Sequence, residues 1–219
     1  MSGSERFPSL KVSEVFHSLQ GESTRVGLPT VFVRLTGCPL RCTWCDTGHA
    51  FSGGDSMSID DILEEVAGYH CRVVCVTGGE PLAQKNCLPL LKALCDAGFD
   101  VSLETSGALD ISGVDPRVSR IVDLKPPGSG ESAKNLWKNI DRLNPKDELK
   151  FVLASRDDYD WACEAVRNHR LESICPVLFS PVQGKLDPKD LAEWIVADRL
   201  AVRFQLQLHK LLWGNMQGK

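Results

Sequence analysis

The chain has 219 residues, 42% hydrophobic and 25% charged, with a net charge of -4. That length can bury a core without disulfide or metal support, and the composition excludes disordered, collagen-like and disulfide-scaffold chains. The acidic balance gives no general grip on phosphate backbones, so nucleic acid is not an expected partner, and with no run of 18 apolar residues no membrane span is expected.

Three segments read as flexible: residues 1–6, the loop 48–57 and the Pro/Gly/Ser stretch 126–132. Short β-branched or apolar runs predict strands at about 30–36, 72–77, 100–104, 119–124, 148–154, 174–179 and 202–206. Helical patterns lie between them, near 58–68, 84–97, 131–141, 156–169 and 188–199. Ser58 with Asp61 forms a capping box, and Asp187 followed by Pro188 is an N-cap with proline at the first helical position. Strand and helix in alternation imply parallel pairing with right-handed crossovers. The fold expected is a single α/β domain over 1–219, an incomplete, partial TIM-like barrel of six or seven mostly parallel strands. Polar clusters follow most of these strands, which places a ligand site at their carboxyl ends.

Nine cysteines, an odd number, and a start with no secretory pattern point to reduced thiols and a cytoplasmic setting. Cys38, Cys42 and Cys45 form C-x3-C-x2-C, three soft ligands in one loop. Three thiolates on a 4Fe-4S cluster leave one iron open for a reacting ligand. The rival is a structural zinc held by the same cysteines with His49, in a non-enzymatic binding module. The other six cysteines read as small hydrophobes. Outside that rival, His17, His49, His70 and His169 read as surface or packing residues, and Lys134, Lys138, Arg142 and Lys146 as the solvated face of a mixed-charge helix.

C-x3-C-x2-C followed by Gly78-Gly79-Glu80-Pro81 resembles the radical S-adenosylmethionine superfamily. The resemblance implies that the open iron chelates the amino and carboxylate groups of S-adenosylmethionine, while the G-G-E-P strand end binds its amino group. Glycines permit close backbone approach, and the Glu80 carboxylate suits an ammonium. S-L-Q-G-E-S (18–23), F-V-R-L-T-G-C (32–38), W-C-D-T (44–47), E-T-S-G (104–107) and Q-L-H-K (207–210) narrow the resemblance to the 7-carboxy-7-deazaguanine synthase family over nearly the whole chain. That family converts 6-carboxy-5,6,7,8-tetrahydropterin to 7-carboxy-7-deazaguanine with loss of ammonia, on the route to queuosine. It uses S-adenosylmethionine, a 4Fe-4S cluster and Mg2+, and its members are homodimers; a flavodoxin-like or other reductant is the implied partner.

Carried over, the resemblance puts Leu19, Gln20, Gly21, Glu22, Arg34, Thr77 and His209 on the substrate and Thr47 on Mg2+. Trp44, Cys45, Asp46 and Gly79 would hold S-adenosylmethionine, with Asp123, Leu124 and Lys125, then Ser180, Pro181, Val182 and Gln183. Glu104 and Ser106 are further cofactor contacts. Two departures stand out: Asp123-Leu124-Lys125 replaces a serine-proline-lysine triplet of some members, and the chain after Lys210 ends W-G-N-M-Q-G-K. Alternatives remain for several residues. Gln20 and Glu22 also suit a polar turn, Thr47 a capped turn, and Arg34 either the substrate carboxylate or a salt bridge to Glu22. A radical activase acting on a partner protein would share both cofactor motifs but not Q-G-E-S or Q-L-H-K.

Overall fold

Residues alternate along the central strands between two faces that bury different chemistry, and the computed structural model, which describes residues 8–214 and 216–219, shows both. The expected flexible tail, residues 1–6, lies outside the described residues. The strands are β1 (Ser9–Leu19), β2 (Pro29–Leu35), β3 (Asp55–Ser58), β4 (Val73–Gly78), β5 (Asp100–Thr105), β6 (Ser119–Asp123), β7 (Glu148–Leu153), β8 (Val177–Pro181) and β9 (Arg203–Phe204). They form one sheet in the order β3-β1-β2-β4-β5-β6-β7-β8-β9. β2 and β4 to β9 run parallel, and β1 is antiparallel to β2 and β3. The order does not return on itself, so the barrel is partial.

The seven parallel strands are those expected; β1 and β3 are additional. β1 escapes a hydrophobic-run reading because its buried residues, Leu10, Val12 and Phe16, alternate with polar ones and its register shifts between Val12 and Glu14. β3 and a 3-10 turn (Gly48–Phe51) occupy the loop expected to be flexible, and β3 pairs with the start of β1. The stretch 126–132 is likewise fixed. Asp158 accepts from Gly128 N (2.8 Å) and Ala154 N (3.1 Å), and a Cβ at Gly128 would lie 2.6 Å from that carboxylate.

The outer face of the sheet, with Val33, Val76, Leu103, Phe151 and Phe179 fully buried, packs under α1 (Ile59–Gly68), α2 (Cys87–Asp96), α3 (Arg156–His169) and α4 (Pro188–Ala197). These helices start as expected: the Ser58 capping box closes with two 3.1 Å bonds to Asp61, and Asp187 caps Pro188–Ala197. The helix expected at 131–141 is instead two 3-10 turns, Ser132–Lys134 and Trp137–Arg142. Two asparagines explain this. Asn135 bonds both backbone groups of Lys125, and Asn139 donates to the carbonyls of Gly107 and Leu109, so side-chain to backbone bonds replace helical ones. Lys134, Lys138 and Arg142 therefore do not share a helix face.

The inner face is polar: Arg34, Thr77, Glu104, Asp123 and Lys150 replace the apolar layers that usually fill a barrel. A short α5 (Leu208–Trp213) links the first loop to the cysteine loop through Leu208 N to Gly21 O (2.9 Å) and Lys210 Nζ to Asp46 Oδ2 (2.8 Å). No helix among the described residues is long and apolar enough to cross a membrane. Leu103→Ala, which opens a void at the centre of the outer layer, is expected to lower stability by about 3 kcal/mol in chemical denaturation.

Candidate active site

The cysteine loop leaves β2 and lies on the strand end of β4. Gly79 N donates to Leu35 O (3.1 Å) and Glu80 N to Gly37 O (2.7 Å). A Cβ on Gly79 would sit 2.3 Å from Gly37 O and 2.9 Å from Cys38 Cβ, so the contact requires glycine. The far side of the loop is tied by Arg41 N to Glu131 Oε1 (2.7 Å), Thr43 Oγ1 to Gly128 O (2.9 Å) and Arg41 stacked on Phe51. Cys38, Cys42 and Cys45 carry free thiols and line a cavity of about 220 Å³. Burial pushes the Cys38 and Cys42 thiols up, against the pull of the nearby Lys125 ammonium. Among the described residues no other cysteine lines this cavity. Three sulfurs facing open space fit a 4Fe-4S cluster with one iron left for a ligand. His49, the fourth ligand of the zinc alternative, turns to Glu14 Oε1 (3.6 Å) and is not part of the cavity wall. The remaining cysteines pack in or against the two hydrophobic clusters.

The opposite wall comes from the loop after β1 and from the inner sheet face. Leu19, Gln20, Gly21, Glu22, Arg34, Thr77 and His209 all line the cavity. A Cβ on Gly21 would lie 2.2 Å from His209 Nδ1, so glycine lets the ring lie against the loop. Glu104 accepts from Gln20 Nε2 (3.3 Å) and from Thr77 Oγ1 (3.0 Å). The loop reaches inward because its far half is anchored across the start of the sheet. Thr24 N donates to Glu148 Oε2 (2.9 Å), Ser23 N to Gln205 Oε1 (2.7 Å), and Arg25 pairs with Asp100 (2.8 Å).

Charge on this wall is compensated internally. Burial opposes ionisation of Glu22, but the bonded Lys150 ammonium, Gln207 and His209 outweigh it and hold its carboxyl below the usual range. Burial likewise works against ionisation of Asp46, and Lys210 holds its carboxyl down. Lys125 is raised despite burial by Asp123 (3.0 Å) and Cys42. Arg34 does not pair with Glu22; its Nε donates to Glu14 Oε1 (2.6 Å), because β1 and β2 set Glu14 opposite Arg34 while Glu22 turns to β7.

Trp44, Asp46, Thr47, Glu104, Ser106, Asp123, Lys125 and Val182 complete the walls expected from sequence. Thr47 makes no capping bond to the turn it precedes, and its Oγ1 lies 3.7 Å from Cys45 Sγ. Leu124, Ser180, Pro181 and Gln183 do not line the cavity. Glu80 is fully buried and faces away from it: Thr105 Oγ1, Ser106 N, Ser106 Oγ and Leu82 N all donate to its carboxylate, so it is not exposed to pair with an ammonium. Lys150 and Phe16 line the cavity without having been singled out, and Gln207, Lys210 and Phe32 line it after being quoted only within motifs. Lys150 had a signal: a cation at every-other spacing from Glu148 inside an otherwise apolar run.

The parallel sheet, the three-cysteine loop and the glycine seat beneath it are matched by a family model. The Radical SAM superfamily model covers residues 32–180, and the chain belongs to that superfamily. Within it, a 7-carboxy-7-deazaguanine synthase of Chlorobaculum tepidum is 47% identical over 94% of both chains, and one of Koribacter versatilis is 43% identical over 93% of this chain and 97% of its own. The crystal structure of QueE from Escherichia coli superposes with a TM-score of 0.76 at 26% identity, covering 92% of this chain and 95% of that one. The chain is therefore a member of the 7-carboxy-7-deazaguanine synthase family.

Gly79→Ala, which displaces the cysteine loop, is expected to lower the iron bound after anaerobic reconstitution, as are alanine at Cys38, Cys42 or Cys45. Cys71→Ala and Cys87→Ala are expected to keep wild-type iron. Iron analysis with a melting curve of each variant checks this, and full iron content in Cys45→Ala would refute the ligand set.

Proposed function

We propose that the protein converts 6-carboxy-5,6,7,8-tetrahydropterin to 7-carboxy-7-deazaguanine with release of ammonia. One observation carries this reading: in a chain of this family, the three thiols and the charged wall built by Gln20, Glu22 and Arg34 open onto the same cavity. When bound, the cluster and S-adenosylmethionine supply the radical chemistry that begins the reaction. The protein's own residues position and enclose. Cys38, Cys42 and Cys45 hold the cluster. The Gly79 backbone, Trp44, Asp46, Glu104, Ser106, Asp123, Lys125 and Val182 surround S-adenosylmethionine.

Arg34, half paired with Glu14, keeps donors for the substrate carboxylate. Glu22 and Gln20 offer acceptors to the N–H groups of the aminopyrimidinone ring, and Thr77 and His209 complete the pocket. The residues fit a small heterocycle better than a protein segment, since the acceptors lie inside the barrel and not on an exposed face. Thr47 is placed on Mg2+, whose remaining positions go to water and substrate oxygens. The family supports a homodimer served by a flavodoxin-like or other one-electron reductant. Nine free thiols and an iron-sulfur site suit a reducing cytoplasm.

Anaerobic incubation of the reconstituted enzyme with the pterin, S-adenosylmethionine, Mg2+ and dithionite is expected to yield the deazapurine, read by absorbance and mass. No product from protein with full iron content refutes the assignment. Thr47→Ala is expected to keep its iron, to raise the substrate KM and to weaken the dependence of rate on Mg2+. Superimposable Mg2+ titrations of variant and wild type would remove Thr47 from the metal.

A further inference from the structure

The cavity holds one buried ammonium to which the proposed chemistry gives no task. Lys150 faces inward from β7 with only 10% of its side chain exposed, bonds the equally buried Glu22 carboxylate, and lies 3.5 Å from Asp123 Oδ2. It thus stands between the acid placed on the substrate and an acid placed on the cofactor. The two acids are not equally dependent on it. Asp123 Oδ2 also has Lys125 at 3.0 Å, whereas Glu22 has no other ion-pair partner within 4 Å among the described residues, only the neutral Gln207 amide and the more distant His209.

Burial alone would drive Glu22 to take up a proton. Lys150 reverses this, and is itself held well above the usual lysine range, against its own burial, by Glu22, Asp123 and Glu104. For folding, such a pair brings little, because apolar side chains of the same volume do as well or better in a core. Its consequence is electrostatic. An aminopyrimidinone edge presents N–H donors, so a carboxylate receives them while a protonated carboxyl meets them with its own O–H.

We infer that Lys150 is a positioning residue for the reaction, one that keeps Glu22 ionised and aimed at the donor edge of the substrate. The inference rests on the substrate reading above. The groups that face Glu22 are Lys150 from β7 and Gln207 and His209 at the start of α5, while Asp123 from β6 and Glu104 from β5 act on Lys150. Acidification therefore costs the Glu22 share of substrate affinity in the wild type where Glu22 takes up its proton against Lys150. Without Lys150, that uptake occurs at higher pH.

The test is a calorimetric titration of the cluster-loaded enzyme, with S-adenosylmethionine bound, by the pterin substrate from acid to neutral pH. Wild type, Lys150→Met and Glu22→Gln are compared, with a His209→Gln series run in parallel to identify the imidazole's own contribution. Failure of the wild type to bind the pterin overturns the substrate reading and this inference with it. Given wild-type binding, Lys150→Met is expected to weaken the substrate at least about tenfold at neutral pH, the usual consequence of stripping a buried charge of its partner. The acid limb of affinity is expected to move toward neutral pH, while S-adenosylmethionine binding, protected by Lys125, changes less. Glu22→Gln is expected to abolish that limb. A wild-type acid limb in folded Lys150→Met, or in Glu22→Gln, overturns the inference. If Lys150→Met shows no cooperative melt, the Glu22→Gln profile decides alone.

Discussion

The carboxylate of Glu80 has no exposed surface, and the rest of the site hangs on it. Donors from Thr105 and Ser106 bring the end of β5 to it, Leu82 N fixes the turn that follows, and its own backbone N–H holds Gly37 at the root of the cysteine loop. Three stretches distant in sequence, around residues 37, 80 and 105, thus meet at one residue. Removing such an acceptor would leave several buried donors unpaired, each costing about 1–3 kcal/mol, so the arrangement is fixed before any ligand arrives. The loop can then lie on β4 because Gly78 and Gly79 carry no side chain: a Cβ at either would fall within 2.3 Å of backbone in the neighbouring segment.

The sheet divides its work by side-chain period. Outward residues are mostly aliphatic and aromatic and bind the helices; inward residues include the ionic and hydroxylic groups of the cavity, with Phe16, Phe32, Ile121 and Val152 beside them, and leave space between them. An ordinary barrel fills its interior with branched side chains, and this one cannot, since desolvated ions must be paired instead of packed. The pairings run around the inner wall: Arg34 to Glu14, Thr77 and Gln20 to Glu104, Lys125 and Lys150 to Asp123, Lys150 to Glu22. Arg34, Lys125, Lys150 and Lys210 each have an acid, and the vacant volume lies among them.

β2 and β4 to β8 were legible because each holds a short β-branched or apolar run, and β9, an exposed edge strand, because it lies in the apolar-rich run 202–206. Two helix starts were legible from Ser58 and Asp187, while the Ser155 cap of α3 was not singled out. What escaped was whatever depends on long-range partners. β1 is half polar and bulged, so only its antiparallel neighbours define it. The turns at 132–142 carry helix-forming residues, but Asn135 and Asn139 take their bonds elsewhere. In the site, the cysteine spacing and the Q-G-E and Q-L-H-K segments led to the right cavity because each is a short local pattern. For Glu80 the motif did not say that its carboxylate is buried on donors from Thr105 and Ser106. Arg34 was legible as a buried cation in need of an anion, but Glu14 could not be chosen over Glu22 without the register of β1 on β2. Lys150 and Glu22 are 128 residues apart, beyond any local pattern.

The two halves of the cavity take their geometry from opposite ends of the sheet. The cysteine loop is held at the carboxyl ends of β2 and β4, by Leu35, Gly37 and Gly79. The loop bearing Gln20 to Glu22 is held at the amino ends of β5, β6 and β7, where Arg25 reaches Asp100 and Ser119 and Thr24 reaches Glu148. Parallel strands fix the distance between these ends through their backbone ladders, so neither loop can move toward the other without breaking sheet pairing. A radical transfer between a cofactor and a substrate needs that separation held constant, since a misplacement of about 1 Å can cost about a hundredfold in rate. Outside the sheet, α5 touches both loops, through Gly21 and Asp46. It is short, and its Leu211 and Leu212 are exposed. Rigidity in this site therefore resides in the sheet, which holds the two loops from its opposite ends.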